Sequence, residues 1–113
     1  AKTDVDFIHV AAHHGVNPIF GTSKSLSGLA KEYSGLPIIA NGKLHEPLSA
    51  ESALKSGEGD FVSIGKGALA DPHWPNKLLT GQVPIEFVPD MISPLATLEN
   101  YYDWRTKSTG SDQ

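Results

Sequence analysis

The sequence predicts an α/β fold in which parallel strands alternate with helices, and three observations predict it. Three short apolar runs, rich in β-branched or aromatic residues and bounded by Gly or Pro, are typical of strands. Stretches with helical periodicity lie between these runs, giving the order β-α-β-α-β-α. The segment DFIHV at residues 6–10 recurs in similar form as DFVSI at residues 60–64, which indicates a repeated βα unit.

The predicted strands are residues 5–11, 36–40 and 60–64. Two of them are almost continuously apolar, as expected for strands that are buried on both faces of a parallel sheet. Parallel strands joined through helices imply right-handed crossovers.

Two helices are predicted between the strands. The first covers residues 25–34 and ends at Gly35, and its apolar stripe consists of Leu26, Leu29, Ala30 and Tyr33. The second begins at Pro47, a residue favoured in a first helical turn, and ends near Gly57. Its predicted inner face consists of Ala50, Ala53 and Leu54.

The region after the third strand is predicted to hold a short helix at residues 76–80, ended by Gly81. Residues 82–91 contain two prolines and are expected to be irregular, and Ser93-Pro94 is expected to begin a final helix. Residues 106–113 are polar and are expected to fray. The aromatic residues of this region are expected to pack against the fold rather than to stack on a ligand; they are Trp74, Tyr101, Tyr102 and Trp104.

Composition excludes several functional classes. The 113-residue chain has 13 acidic and 9 basic residues, so its net charge of -4 argues against nucleic acid as the main partner. The absence of cysteine excludes disulfides, thiolate metal sites and cysteine nucleophiles. No apolar run approaches the roughly 18 residues of a membrane span, and no signal peptide is recognisable, so a cytoplasmic protein is expected. Residues 2–6 lead directly into the first strand, so the chain is expected to begin within a domain.

Two glycine-bearing turns carry the functional argument. Asn41, Gly42 and Lys43 follow the second strand, and Gly65 and Lys66 follow the third. Glycine lets a backbone turn tightly or approach a ligand closely, and concave arrays of N–H groups bind anions. In TIM barrels the loops after strands seven and eight form a common phosphate site. The structural alternative is that both glycines serve tight packing and that Lys66 is merely solvated.

Several segments together resemble the Old Yellow Enzyme (NADH:flavin oxidoreductase) family. They are LPIIANG at residues 36–42, the run at residues 50–66 and LADP at residues 69–72, while residues 5–11 resemble the family's sixth strand. The resemblance covers residues 4–81. It implies that residues 1–81 are the last three βα units, about strands six to eight, of a TIM (β/α)₈ barrel. Residues 82–113 would be a C-terminal tail with a short helix.

The resemblance implies FMN as cofactor, with its phosphate held by the amides of Gly42, Lys43, Gly65 and Lys66. Asn41 is assigned to the same cofactor site. The Lys66 side chain would add a positive charge where the family usually has Arg. Lysine cannot make the two-pronged contact of arginine, so weaker phosphate binding is expected. Relatives with an iron–sulfur cluster carry cysteines after the eighth helix, and this chain resembles the branch that has FMN alone.

The implied activity is hydride transfer from NADH or NADPH through FMN to an activated alkene or another acceptor. In the family the catalytic groups lie on earlier strands, so no catalytic residue is assigned and the chain alone is expected to be inactive. Its expected partner is the remainder of the barrel, or a second copy paired through the open sheet edges. Two alternatives remain: a self-contained, non-catalytic α/β module that binds a phosphate-bearing ligand or a partner protein, and a phosphate-binding barrel of isomerase or aldolase type.

Three histidines, His9, His13 and His14, lie in or near the first predicted strand, where they could serve as metal ligands or as substrate contacts. On a continuing strand, His9 and His13 would share a face about 13 Å apart and His14 would point the other way, so no metal site is expected. In the family the loop after the sixth strand borders substrate and flavin. His13, His14, Ile19 and Phe20 are therefore candidates to line the mouth of the active site.

Overall fold

The computed structural model describes residues 3–109, and the chain divides into two compact units, Ala1–Gly65 and Lys66–Gln113. The first unit contains a parallel sheet with strands β1 (Ile8–His9), β2 (Ile38–Asn41) and β3 (Phe61–Ser63), in that spatial order. The α/β class and the three parallel strands are as predicted. β1 is shorter than predicted, because it pairs only with β2 among the described residues and residues 5–7 have no ladder partner.

Helix α1 (Leu26–Ser34) lies between β1 and β2 and has the predicted ends. The Ser25 Oγ accepts a hydrogen bond from the Gly28 N–H at 3.0 Å, and Gly35 terminates the helix with φ 67°. Its predicted stripe is partly wrong, since Ser27 is fully buried and Tyr33 is 82% exposed. An apolar stripe covers about a third of the helix circumference. The sequence therefore does not show which residues within or beside the stripe contact the sheet.

Helix α2 (Pro47–Lys55) lies between β2 and β3 and begins at Pro47, as predicted. Ala50 and Ala53 are buried, whereas Leu54 is largely exposed, which corrects the predicted inner face. Small side chains let the helix approach the sheet closely. The core at this place consists of Ala40, Leu44 and Ala53, against which Val16 and Val62 pack.

The two faces of the sheet differ. Val10, Ile38 and Ala40 are buried on the face toward the helices. Because side chains alternate along a strand and paired residues share a face, the opposite face carries His9, Ile39, Asn41, Phe61 and Ser63. We call this second surface the open face. Its amino-terminal half borders an apolar hollow of about 240 Å³ lined by Asp6, Phe7, Pro37, Ile39 and Phe61.

The second unit begins with helix α3 (Lys66–Ala70), which was not predicted. Helix α4 (Trp74–Leu79) follows and overlaps the short helix predicted at residues 76–80. Between them lies Asp71, a buried carboxylate that forms an ion pair with Lys77. Burial would raise the pKa of Asp71, but hydrogen bonds from Lys77 and from the Ile85 and His73 N–H groups lower it below its usual value. Asp71 therefore organises the turn between these helices.

The tail contains a 3₁₀ helix (Pro89–Ile92) and helix α5 (Leu98–Thr109). The prediction that Ser93-Pro94 begins the last helix is wrong. Ser93 ends the 3₁₀ helix, and Thr97 instead caps α5 by accepting from the Asn100 N–H at 3.1 Å. Fraying was predicted for residues 106–113; the helix continues through Thr109, and residues 110–113 lie outside the described part of the chain.

Aromatic packing in the second unit is confirmed. Tyr101 is buried with Ala70 and Met91, and Phe87, Ile92 and Trp104 pack around this cluster. Trp74 is also buried, whereas Tyr102 is largely exposed. Within residues 3–109, none of the helices has the length and apolar character that crossing a membrane requires.

Candidate functional site at the carboxyl ends of the strands

The carboxyl ends of β2 and β3 lie side by side. Asn41 and Ser63 are register partners, and the Asn41 Nδ2 donates to the Ser63 Oγ at 2.9 Å and to the Ser63 carbonyl at 3.3 Å. The two predicted glycine turns therefore leave neighbouring strand ends. In open α/β sheets this edge is where ligands bind.

The turn after β2 has an unusual backbone. Gly42 has φ 125° and Lys43 has φ 52°, a left-handed conformation that is uncommon for a residue with a side chain. The Gly15 N–H donates to the Gly42 carbonyl at 2.8 Å, so the loop after β1 crosses this turn backbone to backbone. A Cβ at Gly42 would overlap the Ala12 carbonyl oxygen and lie 2.7 Å from the Gly15 nitrogen. The close approach of another protein segment therefore requires glycine here, and the role of this turn at a phosphate stays a prediction.

Gly65, after β3, is different. Its φ is outside the left-handed region, and a Cβ added to it would meet no atom within 4 Å. No described part of the protein therefore requires glycine at this position. The open space beside Gly65 is available to a ligand.

A lysine and two histidines interact near the turn after β2. Lys43 is exposed, and the rings of His13 and His14 lie 4.7 Å apart at an interplanar angle of 88°. Desolvation lowers the pKa of His14 below its usual value, and the positive charges of Lys43 and His13 lower it further. The charge of Lys43 therefore acts on the loop that follows β1. Because a lowered pKa favours the neutral form of His14, the positive charge offered to an anion comes from Lys43, while the His14 ring can offer an N–H donor.

A hydrogen-bonded cluster on the open face was not predicted. His9 Nε2 lies 2.9 Å from the Ser63 Oγ, which also accepts from Asn41. The repeat gave a signal for it, because His9 and Ser63 occupy the same position in DFIHV and DFVSI. The strands alone did not show that the His9 side chain reaches from β1 to β3.

Strand β1 ends at His9 and does not continue to His13 and His14. His13 and His14 lie in the loop that follows, so the expected alternation of faces does not apply to them. Among residues 3–109, no three His, Asp or Glu side chains are grouped as a metal site would require.

The remaining predicted site residues are placed as follows. Ile19 is half-buried, and Phe20 is 81% exposed with φ 53° in a loop closed by the hydrogen bond from the Thr22 N–H to the Ile19 carbonyl. Their role beside a substrate stays a prediction. Lys66 begins the second unit, where its ammonium lies 5.5 Å from the centre of the Phe87 ring. Its role at a phosphate also stays a prediction.

Comparison with known proteins finds partial similarity to several oxidoreductases. The chain is 40% identical over 52 residues to the NADH oxidase of Thermoanaerobacter brockii, covering 46% of this chain and 8% of that protein. It is 42% identical over 52 residues to the NADH:acrylate oxidoreductase of Vibrio harveyi, covering 46% and 5%. It is 32% identical over 92 residues to the bilirubin reductase of Mediterraneibacter gnavus, covering 72% and 14%.

No protein-family model matches the chain. The chain spans between 5% and 14% of the length of these three relatives. The similarity therefore covers a small segment of each relative, and all three relatives are named as oxidoreductases.

Proposed function

We propose that this chain is the C-terminal part of an FMN-dependent (β/α)₈ barrel of the Old Yellow Enzyme family, containing about strands six to eight. The whole enzyme would pass a hydride from NADH or NADPH through FMN to an activated alkene or a related acceptor. Support comes from the parallel β-α-β-α-β order and from relatives whose names include an NADH oxidase and an NADH:acrylate oxidoreductase. A cytoplasmic location is proposed with this function.

The remaining strands of the barrel are the proposed partner of this chain. Phe7 and Phe61 are 55% and 62% exposed, and they border the hollow on the open face. Large exposed apolar patches mark interaction surfaces, and sheet edges pair with other strands. In a closed barrel, strands one to five would cover this face. A self-contained module would leave these aromatic side chains in water, which is why we favour the barrel.

The observation that carries the cofactor proposal is the pair of turns at neighbouring strand ends. One turn carries the exposed Lys43, whose charge acts on His14, and the other leaves open space at Gly65. Both features fit a phosphate group, which needs positive charge and close backbone approach. Gly42 contributes by holding the Asn41–Lys43 turn against the loop after β1. Lys66 follows Gly65 in the chain, and we extend the proposal to its side chain.

FMN would supply the hydride chemistry when bound. The residues of this chain would bind and orient its phosphate end, and the His13, His14, Ile19 and Phe20 loop would border the substrate. No residue of this chain is assigned to the reacting atoms, because the proposal places those groups on strands one to five.

The first test is the visible absorption spectrum of the purified full-length protein. We expect flavin bands that persist through extensive dialysis and bleach when NADH or NADPH is added. A colourless protein that cannot be reconstituted with FMN would favour the non-catalytic phosphate-binding module. A flavin-free protein that converts a phosphorylated sugar would favour a barrel of isomerase or aldolase type.

The second test uses the 113-residue chain alone, with FMN, NADPH and cyclohexenone. A barrel of this type needs eight strands in about 250 residues, and only three strands are present among residues 3–109. We expect no turnover above the rate of free FMN. Turnover at the rate of a full-length relative would overturn the proposal that the catalytic groups lie outside this chain.

A further inference from the structure

The open face is divided into an apolar half and a polar half. Phe7, Ile39 and Phe61 border the hollow toward the amino ends of the strands. Toward the carboxyl ends lies the cluster of His9, Asn41 and Ser63, which we call the polar cluster. Its members come from all three strands, so the sheet itself brings them together.

The hydrogen bonds within the polar cluster leave capacity for a ligand. The Ser63 hydroxyl can donate once and accept twice, and it accepts from Asn41. If the His9 Nε2 carries a proton, Ser63 accepts from it and its own O–H is free to donate outward. If the His9 Nε2 is the acceptor, Ser63 donates to it and keeps one acceptor position. The cluster can therefore present either a donor or an acceptor by moving one proton.

Groups that both donate and accept suit hydroxyl ligands, because a hydroxyl can adapt to either arrangement. The polar cluster is also adjacent to the proposed phosphate site, since Asn41 directly precedes Gly42. If a ligand binds with its phosphate at the Asn41–Lys43 turn, the atoms next to that phosphate would lie beside the polar cluster. In FMN that part is the ribityl chain, which carries secondary hydroxyl groups.

We propose that the polar cluster of His9, Asn41 and Ser63 binds the ribityl hydroxyls of FMN, with the Ser63 hydroxyl as the direct contact. This inference rests on the proposed function. His9 and Asn41 act as positioning residues, because their hydrogen bonds hold the Ser63 hydroxyl in place.

The experiment compares FMN with an analogue in which the ribityl hydroxyls are replaced by hydrogen. Both are titrated into the flavin-free full-length protein, and binding is followed by quenching of flavin fluorescence. Ser63→Ala should weaken FMN binding about threefold to tenfold, the size expected for one lost hydrogen bond, and should leave the affinity for the analogue unchanged. The control is Ser52→Ala, which removes a hydroxyl from the exposed side of α2 and should change neither affinity.

His9→Phe is the second variant, because it keeps an aromatic ring at an exposed position and removes the hydrogen bond to Ser63. It should weaken FMN binding, again without affecting the affinity for the analogue.

If both variants bind FMN as tightly as the unchanged protein, the inference is wrong. It is also wrong if both variants weaken the binding of FMN and of the analogue equally. If the unchanged protein binds FMN and the analogue equally well, the ribityl hydroxyls make no contact and the inference also fails. A protein that binds neither flavin would instead refute the proposed function, and this inference with it.

Discussion

The two glycine turns look equivalent in the sequence, each following a strand with Gly and a nearby Lys, but they differ in the structure. Gly42 lies where two backbone segments cross, and its φ of 125° and the nearby Ala12 carbonyl leave no room for a side chain. Gly65 has neither constraint. Packing within the protein is therefore sufficient to require glycine at position 42. It does not require glycine at position 65, where we propose that a bound ligand does.

This difference shows that a glycine in a sequence motif does not by itself indicate why glycine is needed there. A tight turn, a close backbone crossing and a close ligand approach all require the same missing Cβ. Substitutions at the two turns should therefore separate stability from binding, and the expected effects are described from the largest to the smallest.

Gly42→Ala should have the largest effect. The new Cβ combines backbone strain with overlap against the loop after β1, and together these should lower the free energy of unfolding by about 3 kcal/mol or more. Urea denaturation measures this loss. A variant as stable as the unchanged protein would show that the crossing of the two loops is wrong.

Substitutions at two other glycines separate the two causes of this stability loss, which are steric overlap and backbone strain. A Cβ at Gly15 would lie 2.9 Å from the Asn41 carbonyl without a left-handed φ, so Gly15→Ala tests the overlap alone. Gly35 has φ 67° and no atom within 4 Å of an added Cβ, so Gly35→Ala tests the backbone strain alone, at about 1 kcal/mol. Both should be milder than Gly42→Ala.

Gly65→Ala should leave the unfolding free energy nearly unchanged and weaken FMN binding about tenfold, because its Cβ would occupy space that the phosphate needs. No loss of stability is expected, because the added Cβ would meet no protein atom within 4 Å. Flavin retention after dialysis and urea denaturation of the same samples measure both effects. Unchanged flavin affinity would remove Gly65 from the proposed site.

Lys43→Gln should have the smallest effect, a rise in the pKa of His14. Desolvation is the largest cause of the lowered pKa and stays in place, while the repulsion from Lys43 is removed. Titration of the His14 ring by NMR measures the shift. Lys55→Gln is the control, since Lys55 pairs with Glu51 on α2. An unchanged His14 pKa in Lys43→Gln would show that the charge of Lys43 does not reach the loop after β1.

Much of the fold could be predicted because its signals are local. Ser25 and Gly35 bound α1, and Pro47 begins α2, through interactions within a few residues of each helix end. The start of α5 could not be predicted in the same way. Ser93 and Thr97 both offer a capping side chain, and the 3₁₀ helix that ends at Ser93 decides between them.

The candidate site was predictable only in part. The strand order placed Asn41–Lys43 and Gly65 at neighbouring strand ends, because the carboxyl ends of parallel strands share one edge of a sheet. The sequence did not reveal the interaction of Lys43 with His13 and His14, because these histidines lie about thirty residues earlier in the chain. Their proximity depends on how the loop after β1 packs.

The sequence by itself determined the alternation of strands and helices, the helix ends of the first unit and the absence of cysteine chemistry. These follow from residue type and spacing over short distances. Only the tertiary structure decided why Gly42 must be glycine, that His9 reaches Ser63, and which face of the sheet is left open. Each of these depends on contacts between segments far apart in the chain, and such contacts are set by packing rather than by local preference.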